Sequence, residues 1–458
     1  MKSAHIQHLY NRIGFGISPK EIERLSKKTK KEVVEELFSS SKKTTQLKVD
    51  TSYIKDVTYK SLKDIKKRRE LQKMSRKKVF DLSIAWFHRL HNPAEILREK
   101  MTLFWANHFV CENRNILFVQ KYNNVLRENA LGNFKDFTKT ISKEAAMLNY
   151  LNNKQNKKKS PNENFARELM ELFTLGQDQY TEKDIKESAR AFTGYNHKMK
   201  GDFFLRRKHH DESNKTFFGK TGNFNGDDII DIILEKKQCA RFISEKIYSY
   251  FVNDTINKKH IDKMTKVFYK DYDIENLMRY VLLSNWFYDS DNIGNKIKSP
   301  IEFLVGMNTI VPYKFKKPKQ IRLVQKLLGQ VLLSPPNVAG WKTGKNWIDS
   351  NTIVTRLRLP SMLLNNAQIA YSEKGDEETM ITNFNKRKLR RQAFIKVSKD
   401  WESFEENYKN KSNKELIGLI INTNLNSGTA EMLEKNGELL SKQNFIIQLM
   451  SLPEYQLC

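Results

Sequence analysis

Residues 160–176 read SPNENFARELMELFTLG. Phe165, Ala166, Leu169, Met170, Leu172 and Phe173 recur at three and four positions, which at about 100° per residue places them on one arc of an α-helix. Ser160, Pro161 and Glu163 fit a capping box, with serine as N-cap, proline at the first helical position and glutamate reaching back. Gly176 supplies the left-handed stop.

The same start signal recurs at Ser18-Pro19-Lys20-Glu21 and Ser299-Pro300-Ile301-Glu302, and with aspartate closing the box at Thr181-Glu182-Lys183-Asp184. Helical periodicity runs through residues 22–38, 79–90, 96–109, 134–151, 165–175, 229–234, 240–251 and 323–333, and strict alternation is scarce. Two segments interrupt it. Residues 196–226 are glycine-rich with aromatic ends and suit a small β-hairpin near 200–222, whereas 334–350, SPPNVAGWKTGKNWIDS, cannot be helical through its Pro-Pro pair and three glycines. The expected fold is all-α, a multi-helix globular domain with two long irregular loops. One domain over 1–458 is the simplest organisation, and a main body 1–372 with a C-terminal helical subdomain 373–458 is the alternative.

Composition narrows the functional classes. With 39% hydrophobic residues the chain can build a core, and no apolar run approaches the roughly 18 residues of a membrane span. The start, MKSAHIQHLYNRIGFG, has no continuous apolar segment of a secretory signal, so a cytoplasmic location is expected. Cys111, Cys239 and Cys458 are widely spaced, without a CxxC pair, and read as free thiols. There are 81 lysines and arginines against 53 aspartates and glutamates, a net charge of +28, concentrated in 63–78, 154–159, 314–319 and 386–391. Such runs suit a polyanionic partner or are solvated faces, and no helix-turn-helix, zinc-finger or ribonucleoprotein signature accompanies them.

In the 160–176 helix Glu163, Arg167 and Glu171 fall four apart, as an outer ladder of ion pairs. Glu168 falls off that ladder, at the edge of the apolar arc, with Asn164 one turn before it. A half-buried carboxylate there needs a partner, a metal or a raised pKa. His108 follows Trp105 on the apolar LFWANHF segment, and His209-His210-Asp211 lies in the first irregular loop. In the catalytic reading Glu168 is general base or ligand, and His108 and His210 are proton carriers; together the three are ligands of a divalent metal. Arg167 then clamps an anionic group, Asn164 and Asp211 add polar contacts to substrate, and Trp341 forms an aromatic platform. The plainer alternatives are a structural ion pair for Glu168, a core histidine for His108, a polar turn for His210-Asp211 and a loop-pinning role for Trp341.

Several ordered segments carry a resemblance: HLYNRIGFGISPKEI, REKMTLFWANHF, PNENFARELMELFTLGQDQYTEKDIKESARAFTGY, HHDESNKTFFGKTGNFNGDDIIDIIL and LLSPPNVAGWKTGKNWI. Together they resemble the domain-of-unknown-function 1800 family, a large bacterial group with no established activity. The resemblance implies a mainly helical domain over nearly the whole chain. It also implies a protein partner of the domain-of-unknown-function 1501 family, which resembles alkaline phosphatases and sulfatases, and export, for which no signal is visible here. Three functions follow as expectations. The first is a metal-assisted or carboxylate-based hydrolase acting on an envelope or extracellular component such as a glycan or its ester. The others are a non-catalytic binding or assembly protein, and a nucleic-acid binder working through its basic patches.

Overall fold

The computed structural model describes residues 1–365, 395–437 and 439–458. The basic run 386–391 and the first part of the 373–458 segment lie outside the described residues. The architecture is helical, as the periodicity predicts, and among the described residues the sheets beside the helices are all two-stranded. Two compact units are present, one made of Met1–Thr29, Tyr288–Val331 and Lys342–Cys458, the other of Lys30–Phe287 with Leu332–Trp341.

In the second unit the helix Ile96–His108 is the axis. Every residue from Leu97 to Trp105 is buried, so it is enclosed rather than amphipathic. An enclosed helix must still place its charged residues. Glu99, fully buried, receives Nε and Nη2 of Arg127, Nη1 of Arg89 at 3.3 Å and the Trp86 indole N–H at 3.1 Å. Arg89 and Trp86 stand on Ile65–His91 and Arg127 on Ile116–Glu128, so one carboxylate ties three helices. Arg98, one residue back, caps the last of them, donating to the Arg127 and Glu128 carbonyls at 2.9 and 3.1 Å at the helix end. Further along, Trp105, Phe109, Phe134 and Phe137 form an aromatic core, and the Trp105 indole N–H donates to Ala130 O at 3.0 Å.

The helix boundaries correct several expectations. Residues 22–38 form two helices, Pro19–Ser26 and Lys30–Ser40, and 134–151 divide into Phe134–Lys143 and Ala145–Tyr150. The 79–90 pattern is the inner half of Ile65–His91, whose outer half has no apolar face to detect. The Ser299 and Thr181 capping boxes form in full. At Ser18 only the serine half forms, because the Glu21 carboxylate turns to Arg24 at 2.9 Å. The 196–226 loop holds two hairpins, Tyr195–His197 with Phe203–Leu205 and Lys215–Phe217 with Lys220–Gly222.

In the first unit a third ladder, Tyr313–Phe315 with Val397–Lys399, was not foreseen, since its partners lie far apart in sequence. This unit is stitched by buried cations that satisfy backbone oxygens. Arg12 donates to Asn292 O and Asn295 Oδ1, both at 2.7 Å, and Lys298 donates to Tyr455 O at 2.8 Å.

Glu99→Gln leaves a buried guanidinium without its counter-charge, and the expected loss is about 3–5 kcal/mol of unfolding free energy in urea. Glu245→Gln, breaking a part-exposed pair with Arg241, should cost under about 1 kcal/mol. Equal losses would show that the buried carboxylate does not hold the three helices together.

Candidate functional site

All seven candidate residues, Asn164, Arg167, Glu168, His108, His210, Asp211 and Trp341, belong to the second unit. The helix that carries four-residue spacing from Glu163 does not start at Pro161. Its first residue is Asn164, and Ser160 instead forms a bridge with Lys157. Asn156 is the cause. Its Oδ1 accepts from Asn162 N at 2.9 Å, which holds the chain outside the helix, while its Nδ2 donates to Ala189 O at 2.7 Å and its carbonyl accepts from Gly194 N at 2.9 Å.

The helix changes pitch after Glu168. Residues Leu169–Thr174 form a π-helical turn, with Leu175 N bonding to Met170 O five residues back, and Gly176 stops it at φ +88°. A widened turn moves the buried stripe round, so Leu172, expected in the core, is only half-buried while Thr174 is buried.

The carbonyls at the end of this turn are met by side chains from other helices. His108 Nε2 donates to Phe173 O at 3.0 Å, Lys246 Nζ to Leu172 O at 2.9 Å and Gln238 Nε2 to Leu175 O at 3.0 Å. Lys246 also lies 3.4 Å from His108 Nδ1, so the histidine that fits this network is neutral, with its proton on Nε2. Burial, with Lys246 adding its charge, holds the His108 pKa well below the usual histidine value, and burial lowers that of Lys246 to about 8. Both ring nitrogens are occupied. His108 is placed as a structural clamp on the motif helix.

The His210-Asp211 pair is a second clamp. His210 Nδ1 lies 2.7 Å from Thr193 O, and Asp211 N donates to Thr193 Oγ1 at 2.8 Å. Gly194 between them has φ +79°, and a Cβ there would stand 2.8 Å from Arg206 O. Arg190 spreads its donors over Asp211, Glu187, Ser213 and Asn214, and with its neighbours holds the Asp211 carboxyl at about 2 despite partial burial. Among the described residues no three His, Cys, Asp or Glu side chains are grouped to hold a metal ion, so His108, Glu168 and His210 do not form one ligand set. The helix physics explains why. His108 serves the last turn of the motif helix, Glu168 its middle, and His210 the Thr193 junction.

Arg167 is not free to clamp an anion. It makes a two-pronged pair with Glu182 at 2.9 and 3.0 Å and reaches Glu163 at 3.3 Å. The expected ladder is therefore half right, since Glu171 turns to Tyr180 and Gln177 instead, each at 3.0 Å. Trp341 is 4% exposed and offers no platform to solvent. Asn107 brackets it, accepting from Trp341 N at 2.6 Å and donating to Trp341 O at 3.4 Å. Gly340, at φ +88°, is required there because a Cβ would fall 2.3 Å from Asn107 Oδ1. The ring lines a cavity of about 20 Å³ with Cys111, Tyr122 and Asn123, and the Trp341 indole N–H and both Asn123 side-chain amide atoms have no protein partner among the described residues. That volume admits about one water. Burial pushes the Cys111 thiol up, with Glu112 and Glu144 adding, which rules it out as a thiolate nucleophile.

Glu168 remains. It is half-buried, makes no hydrogen bond or ion pair among the described residues, and has a raised pKa caused first by burial and then by Glu171, against the pull of Arg167. Its charge is felt by the phenols of Tyr150 and Tyr180. Asn164 is exposed one turn earlier, and its backbone N–H is held by Asn162 Oδ1 at 3.1 Å.

The family model described as a protein of unknown function, DUF1800, matches residues 8–457. The chain belongs to this family. No curated protein and no solved structure matches it. Sequence reasoning missed Asn156, Arg190 and Lys246, on which family segments such as FARELMELFTLG depend for their geometry. Lys246 carried a signal, a lysine three residues after buried Ile243 and beside Ile247 on an otherwise apolar stripe.

Because His108 is neutral when folded and titrates near 6.5 when unfolded, the unfolded state binds the extra proton as pH falls through that value. Stability should therefore fall below about pH 6.5 with a slope that includes up to about 1.4 kcal/mol per pH unit from this group. In His108→Gln that contribution should vanish from unfolding curves measured between pH 5 and 7. An unchanged slope would mean that His108 is charged in the folded protein.

Proposed function

We propose that this chain is a carboxylate-based acid–base enzyme of hydrolase type, with Glu168 as the proton-transferring group and an uncharged glycan or ester link of an envelope component as its substrate. The observation that carries the reading is that Glu168 alone among the candidate charged residues has no structural employment. Arg167 is paired, Asp211 is held by Arg190, and His108 has both nitrogens occupied. A carboxylate whose pKa is raised by burial, at the point where an α-helix passes into a π turn, accepts a proton more readily than an ordinary glutamate, as a general base must. Phenols of Tyr150 and Tyr180 beside it suit neutral hydroxylated groups better than anions. The proton is taken from water at the Glu168 carboxylate and returned to the leaving oxygen.

A second reading has its own support. The His210-Asp211 and Asn107-Trp341 clamps stiffen two loops without presenting reactive groups, which suits an assembly protein whose partner belongs to the domain-of-unknown-function 1501 family. Its loops would then be docking elements.

Turnover of a panel of chromogenic glycosides and acyl esters separates the two. Glu168→Gln should lower kcat/KM by about 10²–10⁴-fold with the unfolding midpoint unchanged. The wild-type rate should rise with pH through an apparent pKa above the ordinary glutamate value, because the base must be ionised. A wild-type protein inert on the whole panel, yet forming a tight complex with the co-expressed partner, would transfer the assignment to assembly.

A further inference from the structure

The outer half of the helix Ile65–His91 stands apart from the acid–base site and is unlike every other helix of the second unit. Residues 63–70 are all exposed, and beyond them Gln72, Lys73, Met74, Arg76 and Lys77 are exposed as well. At 3.6 residues per turn, Lys66, Arg69, Lys73, Arg76 and Lys77 fall within an arc of about 100°, over a length of roughly 16 Å at 1.5 Å per residue. Ser75 gives the direction of that arc. It is buried, donating to Arg114 O at 3.0 Å and accepting from Ile116 N at 2.8 Å, and it lies about 150° round the helix from the centre of the cationic arc. The basic face therefore looks away from the body of the unit.

None of these five cations has a hydrogen bond or ion pair to a carboxylate among the described residues. Four arginines elsewhere in the unit are by contrast neutralised at short range, Arg167 by Glu182, Arg190 by Asp211, Arg241 by Glu245 and Arg279 by Glu275. On the outer helix several neighbours three and four apart are like charges, Arg69 with Lys73 and Lys73 with Arg76 and Lys77, each such contact destabilising a helix by about 0.2–0.5 kcal/mol, and Glu70, four residues from Lys66 and three from Lys73, is the single acidic residue within 65–77 to offset them. The helix forms in spite of its own charge pattern, and an anionic partner would relieve the repulsion.

We propose that the face carrying Lys66, Arg69, Lys73, Arg76 and Lys77 is a docking surface for the phosphate backbone of double-stranded nucleic acid, gripped without sequence preference. A membrane surface is less well matched, because a helix lying in a lipid interface needs a continuous apolar face, and the side opposite the cations is occupied by the anchor at Ser75. A protein partner is less well matched too, since the arc has no aromatic or aliphatic anchor at its centre and lysine is depleted at interface cores. A duplex fits on both counts: it presents about one charge per 1.7 Å of axis, and a helix about 10–12 Å across can enter a groove about 12 Å wide. The lysines of the arc act as point charges, which suits contact with phosphates and carries no sequence information.

The test is fluorescence anisotropy of the full chain with a labelled mixed-sequence DNA duplex, from about 50 to 200 mM salt. The wild type should bind at the low end and weaken steeply. Arg69→Gln, Lys73→Gln and Arg76→Gln together should weaken binding at least tenfold and reduce the slope of log K against log salt by about 2 to 3, near 0.9 per lost phosphate contact. The thermal midpoint of that variant should not fall, since it loses repulsion and no contact. Lys258→Gln, Lys259→Gln and Lys263→Gln, on the exposed side of Lys258–Tyr269, remove the same charge elsewhere and should alter the slope by less than 1. Three results would overturn the proposal: no wild-type binding at 50 mM salt, equal losses in the two triple variants, or binding confined to phosphatidylglycerol vesicles.

Discussion

The Glu99 carboxylate, enclosed and met by Arg127, Arg89 and the Trp86 indole, is the constraint from which the larger unit is built. A charge without solvent cannot tolerate a poor partner geometry, since the attraction must offset several kcal/mol of lost hydration per ion. The two helices that supply its donors and the one that carries it are consequently fixed in register as well as in proximity. Two turns further along the same axis stand Trp105 and His108, so the register set at Glu99 determines where the aromatic core closes and where the His108 ring meets the end of the motif helix.

From that point polar groups continue to act as fasteners. His108 and Lys246 share the orphaned carbonyls of the π turn, Asn156 ties Asn162 and Ala189 with its side chain and Gly194 with its carbonyl, and Arg190 gathers the loop after Gly194. Each is a case of buried backbone oxygens or amides finding partners at a distance in sequence. Set against them, a half-buried glutamate with no such duty is conspicuous by its chemistry. The same contrast between employed and unemployed charge separates Arg167, Arg190, Arg241 and Arg279 from Arg69 and Arg76 on the outer helix.

The helical class was legible because apolar periodicity and N-terminal caps are local properties, and the boxes at Thr181 and Ser299 form as their residues dictate. The box at Ser160 reads equally well and fails, because Asn156, outside the motif, takes the Asn162 amide for itself. Long-range competition of this kind leaves no trace in a short window. Glu168 could be placed at a burial edge by a helical wheel, since the pitch changes only after it. The supposed convergence of His108 and His210 upon it could not be judged, because distances between separate helices follow from packing and not from spacing. The opposite error arose at Arg167, where an i,i+4 ladder hid a better partner, Glu182, on the next helix.

The π turn between Leu169 and Thr174 can also be regarded as a helix carrying one residue more than its hydrogen-bond ladder can absorb. Such a turn works as a phase shifter. The half before it, with Phe165 and Ala166, is keyed to one set of core neighbours, and the half after it, with Phe173, to another. Shortening the segment by a single residue would restore a regular helix and force one half to rotate by roughly 100° relative to the other. If Phe173 kept its place among the aromatics, Glu168 would swing off the burial edge altogether. In this family member, then, the position of the Glu168 carboxylate is a matter of residue count within a helix.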